Sequence, residues 1–247
     1  MCRFKSGIIL KDRVFIPDYD SHTKMLEELK IADTEDNAKR LFVRAELMPP
    51  DNDVFTPVSS WKYHVDQDIL PDWYVAEVDE MRMREAVTEW AKEHIHIGEK
   101  IERIDSGTHW IKDCKVEYIC GFAEVENICG SAKVKYIRGS AKVKYICGSA
   151  EVEYICEYAE VKNICGSANI KNICEYAKVK NIRGFAKVKN IRGSAIIETA
   201  KYYCTWEHIK SVCIKDEAVL IDRYNKKIYH SGAFETVIMG GKENDKF

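Results

Sequence analysis

From residue 114 to 200, apolar side chains return every nine residues with little drift. Ala recurs at 123, 132, 141, 150, 159, 168, 177, 186 and 195; Val or Ile recurs two positions later, and Ile three after that. Lys or Glu mostly fills the positions flanking the Val, and each unit closes on Cys or Arg, then Gly-Ser or a variant of it. A fixed short period of this kind marks a stacked-repeat architecture. Nine residues cannot build a helix pair, but they suffice for a short strand and a turn. Ala and Val two apart share one face of a strand, and β-branched residues at two of three inward positions suit a strand better than a helix. The pattern therefore predicts Ala, Val and Ile inward and Lys and Glu outward. The Tyr/Asn position turns the chain and Gly-Ser makes the next corner.

The charges decide how many nonapeptides close one coil. Stacked strands lie about 4.8 Å apart, so like charges directly above one another are unfavourable. A spacing of 18 gives nine opposite-charge and three like-charge neighbours from Glu117 onward, whereas 27 gives six and five. At 18, Glu124, Lys142, Glu160 and Lys178 form one alternating ladder and Glu117, Lys135, Glu153 and Lys171 another. Tyr118, Tyr136 and Tyr154 also fall into one column. The expected fold is mainly β, a nonapeptide-repeat β-solenoid of about 18 residues per coil, with a three-sided coil as the alternative.

Cys114 sits in the Ala column at one end, and Cys204, Trp206 and Ile209 keep the register at the other. The solenoid is placed over residues 101–210, with 97–107 as its junction. A C-terminal hairpin cap follows over 211–247, turning around Tyr224, Asn225 and Lys226, because terminal repeats must cover an open edge. Residues 1–100 have no repeat and read as a small α+β head. A hairpin joins 8–10 to 14–16, and Ser21 caps a helix through about residue 29. Strands follow at 41–47 and 61–66, and a helix over 76–95 carries a stripe of Met83, Val87, Trp90 and Ala91.

Net charge is −2 over 247 residues, but residues 1–100 hold 14 Lys/Arg against 21 Asp/Glu, so the head is acidic and the remainder mildly basic. Neither part has the dense basic stripe of a nucleic-acid binder, which argues against that partner. The start lacks the long apolar run of a signal peptide or membrane span. Ten cysteines without such a signal point to reduced thiols in a cytoplasm.

Cys120, Cys129, Cys147, Cys156, Cys165 and Cys174 all follow the inward Ile. At a spacing of 18, Cys156 lies over Cys174, while Cys129, Cys147 and Cys165 form a second column. Arg replaces Cys at 138, 183 and 192, and the CxxC spacing of zinc sites is missing, so no metal and no cofactor are expected. Calcium is excluded because the turns carry no Asp. Cys2 is the one catalytic candidate: loss of the initiator Met would leave its thiol beside its own amine, which can act as the base. His94 and His96 share a side if extended, and His22, His64 and Glu46 could lie nearby, but nothing fixes them as a site.

Met-Cys-x-Phe-x-Ser-x-Ile at the start, 42–46 with Pro49-Pro50, and Val65-Asp66 with Pro71-Asp72-Trp73 carry a resemblance. The chain resembles a group of uncharacterised proteins of bacteriophages and gut bacteria, in which a similar head precedes short tandem repeats. The resemblance implies a phage or prophage context and a modular plan, and transfers no activity. The leading functional expectation is a non-catalytic interaction or scaffold protein. Its solenoid would present Tyr118, Tyr136, Tyr154, Tyr158 and Tyr176 to a protein, or secondarily to a glycan. The alternative is an enzyme with Cys2 as nucleophile and the solenoid as targeting module.

Overall fold

The computed structural model describes residues 4–199, 212–223 and 225–231. Two compact units divide at residue 95. The first is the α+β head. Its antiparallel sheet runs in the order Val14–Phe15, Lys5–Leu10, Phe42–Met48, Lys62–Val65. Alternation along Phe42–Met48 buries Phe42, Val43, Ala45 and Leu47, and Met83 and Val87 of the helix Ala76–His94 are buried as the stripe predicts. Ser21 caps His22–Glu28, its Oγ accepting from the Lys24 amide at 3.4 Å. A four-residue helix, Glu35–Ala38, was not legible as a helix. It is too short for a periodic stripe and is held by Thr34, whose Oγ1 accepts from the Asn37 amide.

The second unit is a parallel β-solenoid. Strands of successive nonapeptides alternate between two sheets, so each coil takes two repeats. In one sheet Val134 pairs with Val152 and Ile137 with Ile155; in the other Val143 pairs with Val161 and Ile146 with Ile164. The spacing is 18 throughout the regular coils, which excludes the three-sided alternative. The inward Ala, Val and Ile of every repeat are buried and make one continuous core. Each Val or Ile contributes roughly 1.5–3 kcal/mol of transfer free energy before chain entropy is subtracted.

Among the described residues, four of the stacked opposite-charge neighbours form ion pairs. Lys144 Nζ lies 2.7 Å from Glu126, Lys133 3.4 Å from Glu151, Lys142 3.9 Å from Glu124, and Lys135 bonds Glu117. These groups are largely exposed, and each pair is worth under about 1 kcal/mol; their larger effect is to disfavour a slipped register. Lys144→Glu should therefore cost under about 1 kcal/mol in low salt and almost nothing in high salt. Denaturant melts at two ionic strengths check this, and a salt-independent loss several times larger would contradict it.

Three expectations need correction. The Tyr/Asn position is not a corner: the strand Glu151–Ile155 contains Tyr154, and Asn169–Ile173 contains Asn172. Val and Ile three apart are nonetheless both buried, which a flat pleat forbids, so the chain bends inside the strand. The Asn side chains accommodate the bend. Asn163 and Asn172 donate through Nδ2 to the carbonyls of Lys144 and Glu153, both at 3.2 Å, in the preceding coil.

The solenoid also begins ahead of residue 101, and the stretch 97–107 read as a junction belongs to it. Strands Ile95–Ile97, Lys100–Ile104 and Thr108–Lys112 already belong to the two sheets. Ile104 and Ile111 keep the core, but this first coil lacks the Ala-x-Val signature and its register shifts between His109 and Trp110. At the far end the ladder continues past 210. The Val219 amide donates to the Ala195 carbonyl, where the Lys178 amide reaches Ala159, so this coil is five residues longer than the others. Ala218 and Leu220 remain in the core columns, and Lys227–His230 closes the sheet antiparallel to Val219–Asp222. Cys204, Trp206, Ile209 and Tyr224 lie outside the described residues. No helix among the described residues is long and apolar enough to cross a membrane.

Candidate functional site

The corners between strands form two edges, and their sequences differ. One edge stacks Cys120-Gly121-Phe122, Arg138-Gly139-Ser140, Cys156-Glu157-Tyr158, Cys174-Glu175-Tyr176 and Arg192-Gly193-Ser194. The opposite edge keeps Gly at 130, 148, 166 and 184. The middle corner residue needs positive φ, which suits Gly. Glu157 and Glu175 adopt it at φ 57° and 58°, at a cost of roughly 1–2 kcal/mol each. Their carboxylates offset part of that cost. Glu157 Oε2 accepts from the Gly139 amide at 2.9 Å, and Glu175 Oε2 from the Glu157 amide at 3.0 Å. Backbone strain of this sort concentrates at functional sites, and here two adjacent coils share it.

On these two corners Tyr158 and Tyr176 are 65% and 55% exposed. Their rings stack at 5.3 Å between centroids, 6° from parallel. Tyr118, Tyr136 and Tyr154 stack as the column predicts, at 5.4 and 5.1 Å. They are half-buried on the sheet, with the Arg138 guanidinium over Tyr118. The five tyrosines thus divide into a partly covered ladder and a protruding pair.

Beneath the protruding pair lie the thiols of Cys156 and Cys174, 8% and 6% exposed. Their sulfurs and a Glu175 carboxylate oxygen all lie within 4.8 Å of one another. Cys174 is pulled down to about 7 by the hydrogen bond from Cys156, against burial, with help from the Arg192 guanidinium. Cys156 is pushed up by the same bond and by burial. Cys165, in the equivalent place on the other edge, is pushed up by its hydrogen bond with Cys147 and by burial, which outweigh Arg183. A depressed acid is ionised above its own pKa, so the pair loses its first proton below the ordinary thiol range, and alkylation at Cys174 should set in at lower pH than for an ordinary thiol. Iodoacetamide labelling with peptide mapping across pH checks this, and a midpoint near the ordinary thiol value of about 8.5 would contradict it.

In the head, His22 Nδ1 lies 3.2 Å from Asp66 and its Nε2 3.4 Å from the Ala45 carbonyl, while His64 pairs across the sheet from Glu46. His22, Glu46 and Asp66 come within 4.8 Å of one another, and burial pushes the Glu46 carboxyl up. The sequence marked His22, His64 and Glu46 only as residues that could lie near His94 and His96, and nothing in the strand-end position of Asp66 marks it as a partner. His94 and His96 do not form a site. His94 Nδ1 bonds the Trp90 carbonyl and its Nε2 lies 2.9 Å from Asp18, whereas His96 stacks on His109. Lys5 is buried against Trp90 with Asp20 at 3.0 Å, a role its sequence context does not announce. Cys2 lies outside the described residues. No protein-family model, curated protein or solved structure matches the chain.

Proposed function

We propose that this protein is a cytoplasmic, non-catalytic interaction module in which the Cys-Glu-Tyr edge of the solenoid contacts a protein partner. The observation that carries the reading is the exposed, stacked pair Tyr158 and Tyr176 on two strained corners. Tyrosine supplies large contact area at low entropic cost and is enriched where proteins meet. The parallel stacking favours a protein over a glycan. Sugars pack on ring faces, and here one face of each ring is covered by the other, which reduces the face area open to a sugar. The aliphatic core beneath fixes the spacing of the pair, so little order need be gained on binding. The resemblance of the head and repeats supplies the phage or prophage setting of this reading.

The test uses the full chain as bait in a lysate of its own host, beside a Tyr158→Ser/Tyr176→Ser variant and a Phe185→Ser variant of the opposite edge. The reading expects a stoichiometric partner retained by the parent and by Phe185→Ser and lost by the double variant. A partner held equally by all three, with unchanged melting, would overturn the edge as the contact surface.

A further inference from the structure

We infer that Cys156 and Cys174 form a peroxide-responsive dithiol, with Cys174 as the attacking sulfur, Cys156 as the resolving one and Arg192 as the positioning residue. This inference stands independently of the partner-binding reading, because it rests on the corner chemistry alone. Four observations carry it. The two sulfurs are stacked on successive coils, within 4.8 Å of one another. Arg192, next in the same corner column, is the cation beside Cys174 and helps hold its thiol below the ordinary value. On the other side of the pair, Arg138 is turned onto the Tyr118 ring, so the arrangement is polar: cation, then attacking sulfur, then resolving sulfur. The corner position leaves both sulfurs slightly exposed, enough for an oxidant hardly larger than water and too little for a bulky disulfide.

A metal is the competing occupant, since Glu175 completes a three-ligand set. Two features count against it. The Glu175 carboxylate is already engaged with the Glu157 amide, and the positive Arg192 beside Cys174 repels a cation. The opposite edge repeats the Cys-Cys-Arg order at 147, 165 and 183 with no carboxylate beside it, so what recurs is the thiol pair with its cation, not a ligand set.

The chemistry balances with hydrogen peroxide as oxidant. The Cys174 thiolate attacks one peroxide oxygen; the S–O bond forms, the O–O bond breaks, and hydroxide leaves to be protonated by solvent. The Cys156 sulfur then attacks the Cys174 sulfenic sulfur. The S–S bond forms, the S–O bond breaks, and the departing hydroxide takes the Cys156 proton as water. Two thiols have lost two electrons and one peroxide has become two waters. Stacked coils lie about 4.8 Å apart, within the usual Cα range of a disulfide but wider than the preferred Cβ separation of about 3.8 Å. The bond therefore closes under strain and is readily reduced by a dithiol, as suits a reversible switch.

The experiment exposes the full chain to hydrogen peroxide at neutral pH, then alkylates free thiols and maps peptides. The expected product is a Cys156–Cys174 cross-link, reversed by dithiothreitol and formed before any Cys147–Cys165 link. In Cys156→Ser, Cys174 should instead be trapped by dimedone as a sulfenic acid. Arg192→Gln should slow the cross-link by about threefold to tenfold, while Arg183→Gln leaves it unchanged and far-ultraviolet circular dichroism shows both variants folded. Persistence of alkylatable Cys156 and Cys174 after peroxide, equal rates at the two edges, or an unchanged rate in a folded Arg192→Gln would each overturn the inference.

Discussion

Ile146→Asp is expected to unfold the solenoid or lower its stability by at least about 4 kcal/mol. Ile146 is fully buried, stacked between Ile128 and Ile164 on its own sheet and facing the aliphatic core. An aspartate there must either carry its charge out of water or take up a proton, and the side chains stacked directly on it, Ile128 and Ile164, offer no hydrogen-bonding group. The loss spreads, because each coil is stabilised only by its neighbours and a broken layer exposes two others. Lys144→Asp, two residues away and outward, should cost under about 1 kcal/mol. Urea melts followed by circular dichroism compare the two. Similar midpoints would mean that the inward and outward faces have been assigned the wrong way round.

Gly148→Ala should cost about 2–4 kcal/mol, and Gly148→Glu less, although glutamate is the larger residue. Gly148 has φ +66°, and an added Cβ would lie 2.9 Å from the Gly130 amide nitrogen and 3.0 Å from its carbonyl oxygen. Alanine brings the strain and the close contact with nothing in return. Glutamate brings a carboxylate that can accept the amide of the preceding corner, as Glu157 does from Gly139. The inverted order is the informative result. If Gly148→Glu melts well below Gly148→Ala, the carboxylates at 157 and 175 are not offsetting their backbone strain, and the account of the Cys-Glu-Tyr corners fails.

The solenoid was readable because its determinants are local and repeated. Ala, Val and Ile at fixed offsets state which side chains face inward, and alternating Lys and Glu, as at 124, 142 and 160, state which repeats touch. The first and last coils were read short for the same reason. Residues 95–112 bury Ile104 and Ile111 without the motif, and residues 212–222 follow a longer coil. The bend inside each strand was misplaced because Val and Ile three apart are compatible with either a corner or a kinked strand. What separates the two is a side-chain hydrogen bond between coils, such as Asn172 to Glu153, which a single repeat cannot show. The column of Cys156 over Cys174 was legible from spacing alone. What sets it apart from the Cys147–Cys165 pair was not, because it includes the approach of the Glu175 carboxylate to within 4.8 Å of both sulfurs.

Solution NMR of hydrogen-bond scalar couplings tests the central claim most directly, since one coupling reports both the coil length and the assembly of the Cys-Glu-Tyr edge. The Tyr176 amide donates to the Glu157 carbonyl at 3.0 Å, and the Tyr158 amide to Gly139 at 3.1 Å. The account predicts a coupling from the Tyr176 amide nitrogen to the Glu157 carbonyl carbon. A coupling from Tyr176 to the Gly148 carbonyl instead would mean a coil of three nonapeptides, and the paired tyrosines, glutamates and thiols would no longer share an edge.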